Sequence, residues 1–329
     1  MARTREAETP AVEELLYKSD SVFMCLLVNR RTRFIRVIDF RAGALPAKRL
    51  YIQGVARREG IEKVITLVEK DEVSSWTRLG FVREGTIPGF YKRSDGHLCG
   101  CLVGERTASA EVSEDGIRLA ERTVNAARKA AAELPEHIRG ICVEHIDEEA
   151  ALNARDQAWK RGVGVGSFDD FGRDAERYFV RTSGRRGKPN YLVAEYQDCF
   201  GHSLVEALRA PEGEGELLAL THALRQVCDE LTERGIVSAF AFAPSDDVEL
   251  ATAYTAAGFR KTGLLAGGIF ARGTRRDAVL WTRRLANPAT DAEPEPPTTR
   301  PSRSIRTEEE DDFDDDDDLP RDEDETDEE

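Results

Sequence analysis

The stretch YTAAGF at residues 254–259 decides how this 329-residue chain is read. Around it, residues 236–285 run as an apolar strand (IVSAFAFAP, 236–244), a helix (DVELATAYTAAG, 247–258), a Gly-aromatic corner, and two strands closing on WTRRL at 281–285. Gly258 ends the helix, because a residue without a Cβ closes it in the left-handed region at no steric cost. The plan recurs near the start of the chain, where WTRLGF occupies 76–81. Trp76 lies four before Gly80, and Gly85 five after it. Tyr254 lies four before Gly258, and Gly263 five after it, an offset of 178 at each point.

Upstream of the second copy, NYLVAEYQD (190–198) and HSLVEALRA (202–210) form a hairpin, and GELLALTHALRQVCDELTERG (215–235) a helix ended by Gly235. Upstream of the first copy, the two apolar runs of 24–40 around a polar turn form a hairpin. A helix over 45–60 and a strand over 61–69 follow. Strands over 81–92 and 97–103 complete the first copy. Residues 11–18 read as a short helix, 114–133 as a long Ala-rich one, 138–144 as a strand and 147–161 as a helix. Residues 162–190 read as a Gly- and Arg-rich loop with one short helix near 168–178. The fold class that results is mixed α/β: two tandem modules, each a mostly antiparallel sheet with flanking helices. The expected division is 1–105, a linker and helix at 106–137, a fuller module at 138–286, and a tail at 287–329.

Of the net charge of −15, the acidic run accounts for nearly all. Residues 307–329 hold seventeen Asp/Glu against Arg321, which leaves residues 1–306 at +1. The body therefore has no basic stripe, which argues against nucleic-acid binding by the folded part. The Pro-rich linker and acidic run cannot bury enough apolar surface to offset their ordering entropy, so 287–329 is expected to be disordered. Such a run either solubilises or docks a basic protein partner by salt-sensitive attraction. No stretch approaches the ~20 apolar residues of a membrane span, and no signal-peptide pattern opens the chain. A cytoplasmic location and six reduced cysteines are expected. His97, Cys99 and Cys101 alternate along one strand face, but no fourth ligand accompanies them, so no metal site is assigned.

This layout resembles the GNAT acyltransferase superfamily, and over 1–287 it is most similar to the β-lysine N-acetyltransferase family, in which a partial GNAT-like module precedes a full one. The pieces that carry the resemblance are AKRLYIQGVARREGIEKV (47–64), LGFVREGTIPGFYKRSD (79–95), EHIDEEAALNARDQAWKRGVG (144–164) and AAGFRKTGLLAGGI…DAVLWTRRL (256–285). The resemblance implies acetyl-coenzyme A as co-substrate and a small-molecule amine as acceptor. It places the pyrophosphate loop in RAPEGEGELLAL (209–220), with Arg209, Gly213, Gly215 and Glu216 as the cofactor-binding residues. The loop departs from the family pattern: the expected Arg is missing, and Glu212, Glu214 and Glu216 bring negative charge towards a pyrophosphate. Tyr254 stands where many GNAT enzymes keep the acid that protonates the departing thiolate; its alternative is a core tyrosine. Glu206 stands where some keep a base, with Glu195 a second candidate; the alternative is a strand carboxylate facing solvent. Gly162, Gly164 and Gly166 follow a helix rather than a strand, which excludes a dinucleotide fingerprint; they border an acceptor pocket or form a plain loop. The degenerate loop supports a second reading, a catalytically inactive GNAT-fold binding protein with an acidic docking tail.

Overall fold

Two parallel strand pairs in an otherwise antiparallel sheet set the architecture. The computed structural model describes residues 10–104, 111–135, 140–185, 187–197 and 199–286. The N-terminal half runs β1 (Val12–Lys18), β2 (Phe23–Asn29), β3 (Phe34–Asp39), α1 (Leu45–Arg58), β4 (Lys63–Val68), α2 (Val73–Arg78), β5 (Val82–Ile87) and β6 (Gly96–Leu102). After α3 (Glu114–Glu133) come β7 (Cys142–Ile146), α4 (Glu148–Lys160) and β8 (Glu176–Ser183). The chain ends with β9 (Asn190–Gln197), β10 (His202–Ala207), α5 (Glu214–Glu233), β11 (Ser238–Pro244), α6 (Val248–Ala256), β12 (Arg260–Ala271) and β13 (Thr274–Arg284).

Among the described residues the strands form one sheet in the order β1-β2-β3-β4-β6-β5-β12-β13-β11-β10-β9-β8-β7. Read outward from its centre, each half has the same order. The only parallel neighbours among the described residues are β3/β4 and β10/β11, each pair joined by a helix crossover. Among the described residues the strands of the two halves pair at one bridge, Gly263↔Gly85. A Cβ on Gly263 would lie 2.5 Å from the Glu84 carbonyl oxygen and 2.7 Å from the Gly85 Cα, so this crossing admits no side chain. A bulge interrupts each strand one residue before its glycine, between Arg83 and Gly85 and between Lys261 and Gly263.

The helical faces bury separate cores. Ile52, Val55 and Trp76 pack on β2–β4 in the N-terminal half. Leu224, Leu250, Tyr254 and Trp281 belong to the core under α3, α5 and α6. The opposite strand faces of the two halves turn towards each other, with Phe90 stacked on His202 at 3.7 Å and a cavity between β2–β3 and β10–β11.

Residues 11–18 are a strand, not the expected helix. Their Val12/Leu15/Leu16 spacing fits a helix, but Leu15 and Tyr17 alternate inward and the backbone pairs along the whole of β2; tertiary pairing overrides local pattern. The expected helix near 168–178 is also absent: 168–175 is an irregular loop with bends at 172–174 and positive φ at Phe168 and Asp174, and β8 begins at Glu176 because Phe179 and Val180 are needed as core residues between β7 and β9. Among the described residues no helix is long and apolar enough to cross a membrane. The tail at 287–329 and its docking role lie outside the described residues.

Candidate functional site

β10 and β11 pair only through His202↔Ser238, Ser203↔Ala239 and Leu204↔Phe240. Beyond that point β10 stays on β9 as far as Ala207↔Leu192, while β11 stays on β13 as far as Pro244↔Ala278. The two strands are thus pulled apart by their outer neighbours, and the backbone groups of Val205 and Ala207 face a gap. Unpaired backbone groups in a dry interior are costly and need partners. Tyr254, from α6, supplies them: its hydroxyl donates to Val205 O at 3.4 Å and accepts from the Ala207 N–H. The ring is held edge-on to Phe259 at 5.3 Å and roughly parallel to Trp281 at 6.3 Å. Burial, with Glu206 nearby, raises the phenol well above its ordinary value, so it stays protonated.

Leu204 and Glu206 point to the other face of the sheet, by the two-residue strand period. Glu206 borders the central cavity of about 70 Å³, whose wall also includes Asn29, Arg36, Asp169, Phe171 and Phe242. Its Oε2 accepts the Phe168 N–H at 3.0 Å. Burial is the main reason its carboxyl is pushed up to about 8; the Phe168 bond opposes this, and Asp169 and Glu195 add to it. The cavity reaches Glu206 from one side and protein encloses the rest, which leaves its carboxylate strongly desolvated. Glu195, on β9, accepts the N–H groups of Phe171 at 2.9 Å and Gly172 at 2.5 Å, and burial lifts it to about 7. Both carboxylates therefore hold the 168–172 loop. Asp169 is fixed from three sides, by Asn29 at 3.0 Å, Arg31 at 3.1 Å and Arg155 at 3.2 Å.

The Gly162–Gly166 run lies across the wide end of the gap. Val165 and Gly166 donate to Leu208 O at 2.8 and 3.2 Å, and Arg272 N donates to Gly164 O at 2.9 Å, tying the end of β10 to the β12–β13 turn. Gly166 passes so close to Ala207 that a Cβ would sit 2.7 Å from its carbonyl oxygen. Its own carbonyl is held by Trp159 Nε1 at 2.8 Å.

At the start of α5, Gly213 caps the helix at φ 100°, a value natural to glycine, and Gly215 sits in the first turn. Glu216 does not face outward with Glu212 and Glu214. It turns inward to accept Arg209 Nη1 at 2.7 Å, Glu212 N at 2.9 Å and Lys188 N at 2.8 Å. Burial opposes ionisation there, but these donors outweigh it and lower its pKa. Arg209 is further engaged by the carbonyls of Lys188 and Pro189. A carboxylate of the chain thus takes donors that an anion at this helix start would use.

No family model matches the chain, and no curated protein does. Among solved structures it is similar to the spermidine N-acetyltransferase of Vibrio cholerae in complex with CoA and spermine, at 11% identity over 46% of this chain and 98% of that one, TM-score 0.36. It is also similar to the ribosomal-protein-S5-alanine acetyltransferase of Vibrio fischeri, at 11% identity over 48% and 100%, TM-score 0.36. The ribosomal-protein-S18-alanine N-acetyltransferase of Escherichia coli matches at 12% identity over 46% and 97%, TM-score 0.33.

Tyr254 and Glu206 are brought to one strand, on its two faces, whereas Arg209, Gly213, Gly215 and Glu216 cluster beyond its end. Sequence reasoning missed Arg36 and Asp169, which complete the cavity from β3 and the 168–172 loop. Neither stands in a motif; the one signal was a basic residue inside the apolar run FIRVIDF.

Proposed function

We propose that this protein is a GNAT-type N-acetyltransferase that moves acetyl from acetyl-coenzyme A to the amine of a small, amino-acid-like acceptor. The divergence of β10 and β11, with a titratable carboxylate on one face and a phenol in the gap, carries this reading. Acetyl-coenzyme A, when bound, supplies the thioester carbonyl that the amine attacks. The residues at the gap suit that group: the Ala207 N–H and Val205 O, which Tyr254 engages here, would pass to the bound thioester, and the Tyr254 hydroxyl remains a proton donor. Glu206 takes the proton of the incoming ammonium at Oε1, since Oε2 is engaged with Phe168, and works as a base once ionised. Tyr254 returns a proton on the gap side. Gly213 and the first turn of α5 would hold the pyrophosphate.

Titration calorimetry with acetyl-coenzyme A tests the proposal; absence of binding at millimolar ligand overturns it. In Tyr254→Phe, turnover should fall by about 10–100-fold at nearly unchanged cofactor affinity, and equal turnover removes the acid role. A second reading rests on Glu216: because it already satisfies Arg209 and the Glu212 N–H, the chain is a binding protein on this scaffold, its acidic tail docking a basic partner. Efficient acetylation of any small amine eliminates that reading.

A further inference from the structure

Five cationic side chains are buried among the described residues: Arg36, Lys48, Lys63, Arg155 and Arg209. Four of them have a carboxylate within hydrogen-bond distance. Lys48 reaches Asp39 at 2.5 Å, Lys63 reaches Glu84 at 2.6 Å, Arg155 reaches Asp169 at 3.2 Å, and Arg209 reaches Glu216 at 2.7 Å. Arg36 is the exception. It is only 7% exposed, and among the described residues it forms no ion pair. Its Nη1 donates to Phe171 O at 2.7 Å and its guanidinium lies 4.3 Å from the Phe171 ring centroid, while Nε is buried with no partner. The carboxylate that most favours its charged form, Glu195, spends both oxygens on the Phe171 and Gly172 N–H groups. Burial lowers Arg36 only to about 10, so it remains a cation at neutral pH.

A buried cation with no hydrogen-bonded counter-ion and an unpartnered N–H is costly to hold, and it is satisfied most effectively by an anion that desolvates with it. Arg36 borders the same cavity as Glu206. The planar fork of a guanidinium matches a carboxylate in two-pronged fashion. We infer that Arg36, contributed by the N-terminal half, is the specificity-determining residue that pairs with a carboxylate of the acceptor while the acceptor amine faces Glu206. The acceptor is then an amino acid rather than a simple amine. The roles of Glu206 and the amine rest on the acyl-transfer reading; the carboxylate role of Arg36 rests on its own burial and lack of a partner.

The test compares acetylation of L-lysine with cadaverine and of β-alanine with ethylamine, each pair differing by one carboxylate. The wild-type protein should favour the amino acid of each pair in kcat/KM. Arg36→Met should cut that ratio on the order of 10²-fold, and Arg36→Lys should recover part of it. A ratio unchanged in Arg36→Met makes Arg36 a support for the 168–172 loop and overturns the inference, as does a wild-type protein that prefers the simple amines. Binding of L-lysine by calorimetry without acetyl-coenzyme A supplies the independent readout. Lysine binding that Arg36→Met abolishes, in a protein that does not bind acetyl-coenzyme A, keeps the Arg36 role and defeats acetyl transfer. Absence of lysine binding and of acetylation defeats both. Should Arg36→Met not fold, Arg36→Lys alone decides: an unreduced amino-acid preference counts against recognition by the guanidinium.

Discussion

The two halves of the sheet share an element order and differ at the one place where chemistry needs room. In the N-terminal half the parallel pair stays closed through Val37↔Thr66, and Thr66 Oγ1 donates to Val37 O at 3.1 Å. The registers make Val205 and Ala241 the counterparts, and these do not pair; the Tyr254 hydroxyl stands there instead. Trp76 replaces Tyr254 and Ile38 replaces Glu206, so the closed half has neither a phenolic proton nor a carboxylate at these positions. At the bulges the contrast reverses. Lys63 and Glu84 form a buried pair that also binds Ala266 N and O, whereas their counterparts Ser238 and Thr262 have hydroxyls without hydrogen-bond partners among the described residues. One half invests its polar groups in the joint, and the other in the gap.

The largest expected effect comes from making the open half resemble the closed one. Glu206→Gln should lower kcat by about 10²–10⁴-fold. Wild-type activity should rise with pH through about 8 as the base form accumulates, and the variant should lose that limb; a pH–rate profile with the limb retained removes Glu206 as the base. The sign for stability is the opposite. A carboxyl raised by folding binds more protons in the folded than in the unfolded state, so its contribution is full at low pH and declines between the ordinary carboxyl range and about 8. Thermal melts of Glu206→Gln should show a flatter pH dependence over that window.

Next in size is the joint. Lys63→Met leaves Glu84 buried without its cation and should cost about 3–5 kcal/mol, read by urea unfolding, while Lys63→Met with Glu84→Leu should recover most of it. Additive losses in the double variant would show that the pair is not coupled. Gly263→Ala places a methyl against the Glu84 carbonyl and the Gly85 Cα, and should destabilise by about 1–3 kcal/mol; an unchanged unfolding midpoint would mean that the crossing relaxes freely. The smallest effect is at the exposed start of α5. Glu214→Arg should tighten coenzyme A binding by at most about tenfold, a gain that fades with salt; tightening that persists at high salt would point to a direct contact rather than charge balance.

How much of this was legible depended on whether the cause was local. The hairpins, α1, α5 and α6 follow from apolar period and closing glycines, which act within one or two turns. The spacing shared by Trp76–Gly80–Gly85 and Tyr254–Gly258–Gly263 is visible as a repeat, but that Gly85 and Gly263 touch each other is not. β1 was misread because its only argument for being a strand is β2. Glu216 was read as facing a pyrophosphate because its donors, Lys188 N and Arg209, come together only when the 187–189 segment folds against α5.

The sequence by itself determined the alternation of elements, the duplicated corner, the place of Tyr254 in the helix before that corner and the place of Glu206 on the strand before the loop, because periodicity and glycine chemistry are properties of adjacent residues. Only the tertiary structure decided that β10 and β11 separate after Leu204, that Glu206 is desolvated enough to titrate near 8, and that Arg36 joins it from residues far away in the chain. Those outcomes depend on which strands flank each other and what the interior excludes, and no local pattern encodes either.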